Sequence, residues 1–169
     1  SMNVEQDAKK WIAVYTKPRH EKSVEKNLKN KGYEVYLPML KERRKWSDRK
    51  KWVLFPLFRS YIFVKIEIKN SLFVLETPGV VKIVKFRGKI SVIPYDIIKS
   101  IRLMIEGGYS PEATDYFIKG NPVQIKDGPL KGIKGEVVEV NKKNHLIIKV
   151  DAIQHSISIK IDRAYLSKL

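Results

Sequence analysis

Apolar and polar positions alternate most cleanly over Phe55–Ile68, F-P-L-F-R-S-Y-I-F-V-K-I-E-I. After a Pro-punctuated turn, Ile62, Val64, Ile66 and Ile68 alternate with Tyr61, Phe63, Lys65 and Glu67, a period of two that predicts a strand. The β-branched face asks for a core. The other face opens on two aromatics, which either lie under a helix of the same domain or form a docking surface for another protein. Upstream, Trp11–Tyr15 reads as a buried strand, and Pro18 suits the first turn of a helix. That helix carries Glu21, Glu25 and Lys29 at i,i+4 steps and Val24 and Leu28 on its inner stripe, and Gly32 ends it. Tyr33–Leu40 predicts a second strand. Residues 41–54, K-E-R-R-K-W-S-D-R-K-K-W-V-L, read as a hairpin or loop turning at Ser47-Asp48.

Beyond the Phe55–Ile68 strand, Asn70–Glu76 predicts a short helix that stops at Pro78-Gly79. Val80–Phe86 and Ile90–Ile93 are β-rich about a tight turn at Arg87-Gly88-Lys89. Pro94 opens another helix, with Ile97, Ile101, Met104 and Ile105 on one face and Gly107-Gly108 at its end. This order predicts an α+β fold, a split βαβ unit with helices on one face of an antiparallel sheet. The texture changes after Gly107–Tyr116, a glycine- and proline-bearing stretch that reads as linker. From residue 119 on, short alternating segments between glycine and asparagine turns predict a small β-barrel. The expected layout is a polar tail over 1–10, a first domain over 11–106, a linker over 107–118 and a barrel over 119–169.

Charge changes this picture most. The 169 residues carry a formal net charge of +16, and 43% of them are hydrophobic, enough for a real core. Residues 119–169 hold ten Lys/Arg against five Asp/Glu, net +5, leaving +11 for residues 1–118. Lys41–Lys51 alone holds seven basic and two acidic residues. Such an excess points first to nucleic acid, then to an acidic membrane or protein. In the basic stretch Trp46 and Trp52 interleave with Arg43, Arg44, Lys45, Arg49, Lys50 and Lys51. Cations neutralise phosphates and an indole stacks on an unpaired base, so the stretch is a candidate nucleic-acid contact. The plainer alternatives are a solvated loop, with Trp52 returning to the core.

Catalytic chemistry finds no foothold in the pattern. The absence of cysteine excludes disulfides and thiolate sites and fits a reducing cytoplasm. His20, His145 and His155 lie far apart without acidic companions, so no metal site and no cofactor is expected. Gly128, Gly132 and Gly135, in G-P-L-K-G-I-K-G, connect strands and read as tight turns rather than a phosphate loop. No apolar run is long enough for a membrane helix, and the first ten residues are polar rather than signal-like.

These segments together resemble a known family. Trp11-Ile-Ala-Val-Tyr15, Pro18-Arg-His-Glu-Lys22, P-L-F-R-S-Y-I-F-V at 56–64, P-G-V-V at 78–81 and I-P at 93–94 resemble the N-terminal (NGN) domain of NusG-type transcription elongation factors. K-G-N-P-V-Q-I-K-D-G-P-L-K-G-I-K-G-E-V at 119–137 resembles that family's KOW motif, the turn-bearing core of its C-terminal barrel. W-S-D-R-K-K at 46–51 resembles the specialised UpxY paralogues of capsular polysaccharide operons, which are related in role to RfaH. One departure is Arg59, where the family usually has proline.

The resemblance implies binding rather than catalysis. Tyr15, Phe55, Tyr61 and Phe63 match the depression that grips the β′ clamp helices of RNA polymerase, and Asn70-Ser71 would face the β gate loop. The Arg43–Lys51 hairpin would lie near upstream or non-template DNA, with Arg19 and His20 as secondary contacts. The barrel would recruit Rho or the ribosome. The implied role is antitermination in the cytoplasm. A general elongation factor acting with Rho, or a KOW-type protein that binds RNA or the ribosome, are the alternatives.

Overall fold

The computed structural model describes residues 8–47 and 49–169, with only the backbone at Trp46. Most of the expected tail and half of the Ser47-Asp48 turn lie outside the described residues. The chain divides into two compact units at Ile93/Pro94.

In the first unit, β1 (Lys10–Thr16) is followed by α1 (Glu21–Asn30), β2 (Glu34–Tyr36), β3 (Met39–Trp46), β4 (Arg49–Pro56) and β5 (Tyr61–Ile66). Then come α2 (Ser71–Leu75), β6 (Val80–Ile83), β7 (Lys85–Phe86), β8 (Lys89–Ile90) and β9 (Val92–Ile93). The main sheet runs β2-β5-β1-β6 with β9 also on β1, and its pairings are antiparallel. Its alternation works as the sequence implies. Ile12, Val14, Ile62, Val64 and Ile66 turn toward Val24 and Leu28 of α1, in a core that also takes Val35, Val74 and Ile83.

Two details differ from the sequence reading. Helix α1 begins at Glu21, with Pro18 outside it, because Arg19 takes a left-handed φ of 64° that no helical turn can contain. The strand expected over Tyr33–Leu40 divides at Pro38, which has no N–H to offer a ladder. The chain then leaves the sheet as β3, which pairs with β4 from Met39↔Pro56 to Trp46↔Arg49. The end of α1 follows expectation. Gly32 (φ 90°) donates its N–H to Lys29 O, and Tyr33 N donates to Leu28 O, the Schellman pattern.

The second unit holds α3 (Tyr95–Glu106), β10 (Glu112–Thr114), β11 (Asn121–Ile125), β12 (Lys134–Val140), β13 (Lys143–Val150), β14 (His155–Lys160) and β15 (Leu166–Lys168). The buried stripe of α3 is Ile98, Ile101 and Met104, turned slightly from the one expected, with Ile97 and Ile105 only partly buried. The strands form one antiparallel sheet, β10-β14-β13-β12-β11-β15. The expected linker therefore contains a strand: Glu112–Thr114 pairs with Ser156–Ser158, where backbone bonds replace the missing apolar pattern. Gly128 (φ 86°) and Gly132 (φ 97°) do serve turns. Gly135 instead lies within β12, where a Cβ would stand 2.5 Å from Ile147 O.

Gly79 joins two constraints, since its φ is 92° and a Cβ there would stand 2.6 Å from Val24 Cγ2 in the core. Gly32 has a similar φ, but no atom lies within 4 Å of its would-be Cβ. Gly79→Ala should therefore cost about 2–4 kcal/mol, backbone strain plus overpacking, against about 1 kcal/mol for Gly32→Ala. Urea denaturation of the two variants measures the difference.

Candidate functional site

Two turns carry the candidate site, and one carboxylate holds both. Arg19 precedes α1 and Ser60 precedes β5, and both residues take left-handed φ, 64° and 65°. Glu21, almost fully buried, accepts the Arg19 N–H and the Ser60 N–H on the same oxygen, Oε1, at 3.2 Å each. The i,i+4 reading of Glu21 missed this role. Glu25 does pair with Lys29, at 3.4 Å. The signal lay in the residue's place, two positions after Pro18-Arg19 and in the first helical turn, where a carboxylate meets free backbone donors.

From these turns the two strands run antiparallel in a register that sets Tyr15 opposite Tyr61 on one side and Lys82 on the other. The tyrosine rings meet edge to face at 5.3 Å and 65°, and Lys82 Nζ stands 5.5 Å from the Tyr15 ring centroid. Burial, and then the neighbouring Tyr15 phenol, push the Tyr61 pKa above its ordinary 10.0. Tyr61 and Lys82 line a hollow of about 680 Å³ together with Ser71, Leu72, Leu75 and Val81. Leu72, Leu75 and Val81 are exposed large hydrophobics. The hollow thus combines an apolar floor with hydroxyl and ammonium groups at its edge.

Other expected members of this face stand elsewhere. Phe63 is 0% exposed and packs edge-on against Phe58 at 5.9 Å, so it is a core residue rather than an outward aromatic. The alternation of β5 predicts its face, but not that Phe58 would fold back over it from the preceding turn. Phe55 sits in β4, half-buried opposite Leu40, with the Arg44 guanidinium 5.6 Å from its ring centroid. Ser71 joins the lining of the hollow, whereas Asn70, the half-buried residue before α2, does not. Arg59 is exposed in the turn that Glu21 holds.

The basic stretch forms a regular ribbon. Arg43 pairs with Trp52, Arg44 with Lys51 and Lys45 with Lys50, so cations stand on both faces. Trp52 is 67% exposed and does not return to the core. Among the described residues, the ion pair found here is Arg44 with Glu42, 3.1 Å and exposed. The Trp46 side chain lies outside the described residues. Arg43, Lys45, Arg49, Lys50 and Lys51 are exposed. Arg19 and His20 are exposed in the loop before α1, where His20 Nδ1 lies 2.9 Å from Pro18 O. Among the described residues, no His/Asp/Glu group is arranged to hold a metal ion.

Comparison with known proteins gives this geometry its class. The profile of the family described as "Transcription termination factor nusG" matches residues 9–102, more than half of the chain, and the protein belongs to the NusG family of transcription factors. Its fold is similar to that of a structure described as "Domain interaction in Thermotoga maritima NusG". The TM-score is 0.53 at 21% identity, covering 97% of this chain and 99% of that one. A structure described as "MjSpt4:Spt5 complex conformation B" also matches, with a TM-score of 0.29 at 20% identity over 94% of this chain and 96% of that one. No curated protein matches the sequence.

Removing the shared acceptor leaves two backbone donors without it, so Glu21→Ala should lose about 1–3 kcal/mol and Glu21→Gln clearly less. Urea denaturation checks the order of the two. Because the folded-state pKa of Tyr61 lies above the unfolded value, its stabilising contribution is complete below pH 10.0 and fades as pH rises through the raised value. Tyr15→Phe removes the like-charged neighbour and should bring the Tyr61 transition down in an ultraviolet pH titration, though not fully, since burial remains. A Tyr61→Phe spectrum identifies which transition belongs to Tyr61.

Proposed function

We propose that the protein is a transcription elongation and antitermination factor that grips RNA polymerase through the Tyr15–Tyr61 face of its first unit. The carrying observation is the cross-strand row Tyr61–Tyr15–Lys82 beside a hollow lined by the exposed side chains Leu72, Leu75 and Val81. An amphipathic helix lays an apolar stripe into such a groove, while the phenol and ammonium groups at the edge fix its orientation. The clamp helices of the β′ subunit are the partner that the family resemblance supplies. Ser71, on the α2 side of the hollow, is suited to meet the β gate loop.

The β3–β4 ribbon is the nucleic-acid contact in this reading. Six Arg/Lys residues between Arg43 and Lys51, most without an acidic partner among the described residues, suit the phosphates of upstream or non-template DNA. Trp52 offers a ring for stacking. The mechanism is differential binding: a factor that holds the elongating conformation more tightly than the paused one shifts the balance by that difference and no more. The sequence W-S-D-R-K-K at 46–51 supports a specialised operon, such as one for capsular polysaccharide. Residues 119–169, within the second unit, are the KOW domain in this reading, and the protein acts in the cytoplasm.

A pull-down of core RNA polymerase tests the surface. The wild type should retain polymerase, and Tyr61→Ala and Leu75→Glu should each cut retention at least tenfold while unfolding at near wild-type urea concentration. Unchanged retention by both variants would remove the face from the proposal. Phe63→Ala should instead lose about 3–5 kcal/mol of stability, as core phenylalanines do.

A further inference from the structure

The second unit carries a basic hollow of its own, remote in sequence from the ribbon. Lys142, Lys143, Lys160 and Arg163 line an open depression of about 400 Å³ with Asn144, Ile161 and Asp162. Two segments build it. The β12–β13 turn places Asn141 and Lys142 in left-handed conformations, φ 52° and 64°, the geometry of a tight hairpin turn. The end of β14 lies alongside, since Ile161 N donates to Asn144 O at 3.0 Å and Lys160 pairs across from His145. Lys143 and Lys160 are therefore held on paired strands, with Lys142 in the hairpin turn and Arg163 in the short 3₁₀ turn that follows β14.

Their charges are left over by the fold. All four side chains are exposed, and none is ion-paired with a described residue. The carboxylate lining the hollow, Asp162, accepts the Ala164 N–H at 2.9 Å, capping the turn that carries Arg163. Four like charges around one depression repel one another, and an anion relieves that repulsion. Next to the hollow, and sharing Lys160, Ile161 and Asp162 with it, is a second depression of about 200 Å³ lined by Tyr165, Gly128 and Asp127 among others. The Tyr165 ring lies over Gly128 and remains 45% exposed.

We propose that this surface binds an unpaired nucleic-acid strand, its phosphates over Lys142, Lys143, Lys160 and Arg163 and a base against Tyr165. The adjoining aromatic favours nucleic acid over an acidic peptide, because a base has a face to stack and a carboxylate does not. Asp127 and Asp162 both line the Tyr165 depression and disfavour a phosphate there, which leaves it to the base. The site is independent of the polymerase-binding face and of the ribbon, and its failure would leave both untouched.

The test uses the full ¹⁵N-labelled chain, titrated with a twelve-uridine RNA and separately with a twelve-thymidine DNA. Amide signals of Lys142–His145 and Lys160–Tyr165 should shift with either strand, and a stronger RNA response would assign the site to RNA. In a chain whose ribbon carries Arg43→Ala, Arg44→Ala, Lys50→Ala and Lys51→Ala, adding Lys143→Ala and Arg163→Ala should weaken residual binding about five- to tenfold. It should also flatten the log–log salt dependence by about 1.4, two single-strand phosphate contacts. Tyr165→Ala should cost about tenfold without changing the salt slope. Shifts confined to the ribbon, or unchanged binding by the double variant, would overturn the proposal. Equal competition by tetraglutamate at the same amides would also overturn it, assigning the hollow to acidic protein.

Discussion

One carboxylate oxygen, Glu21 Oε1, accepts the backbone N–H groups of Arg19 and Ser60, and the first unit's candidate site depends on that junction. Both residues take left-handed φ, which costs a non-glycine residue on the order of 1 kcal/mol or more. The shared acceptor offsets that cost and fixes where β1 ends and β5 begins. Thr16 N, just past Tyr15, then donates to Ser60 O at 2.8 Å, joining the same turn to the strand end. With both turns held, the register that sets Tyr15 against Tyr61 follows, since a slip of one residue would turn the slipped strand's side chains to the opposite face.

The charge distribution separates the fold from its interactions. Burial of Ile12, Val14, Ile62, Val64 and Ile66 against α1 stabilises the first unit at about 1.5–3 kcal/mol per side chain. The exposed pairs, such as Glu25–Lys29, contribute well under 1 kcal/mol each. The excess of +16 therefore does little for folding and leaves the basic ribbon and the basic hollow free for phosphate. The proposed bridging role would draw on surfaces of this kind: one apolar with hydroxyls beside it, the others cationic.

Much of the fold was legible because its signals are local. A short apolar run located β1, period-two alternation located β5, and Gly32 located the end of α1. The family resemblance on residues 11–94 agrees with the NusG match over 9–102. What escaped depends on contacts between distant residues. No pattern around Phe63 reveals that Phe58 folds back to seal it. Glu21 reads as one more helix charge until Ser60, 39 positions later, reaches it. Glu112–Thr114 lacks any apolar alternation, and only the β14 edge makes it a strand. At Pro38 and Gly135 the residue type was informative, yet its consequence depended on the neighbouring strand.

Hydrogen–deuterium exchange of the full chain, alone and with core RNA polymerase, reads the tyrosine face segment by segment. Exchange should slow on complex formation in Ala13–Thr16, Tyr61–Phe63 and Ser71–Val84, the segments that carry the tyrosine row and its hollow. Protection confined to the β3–β4 ribbon or to the second unit, with these segments unchanged, would contradict a grip on polymerase through that face.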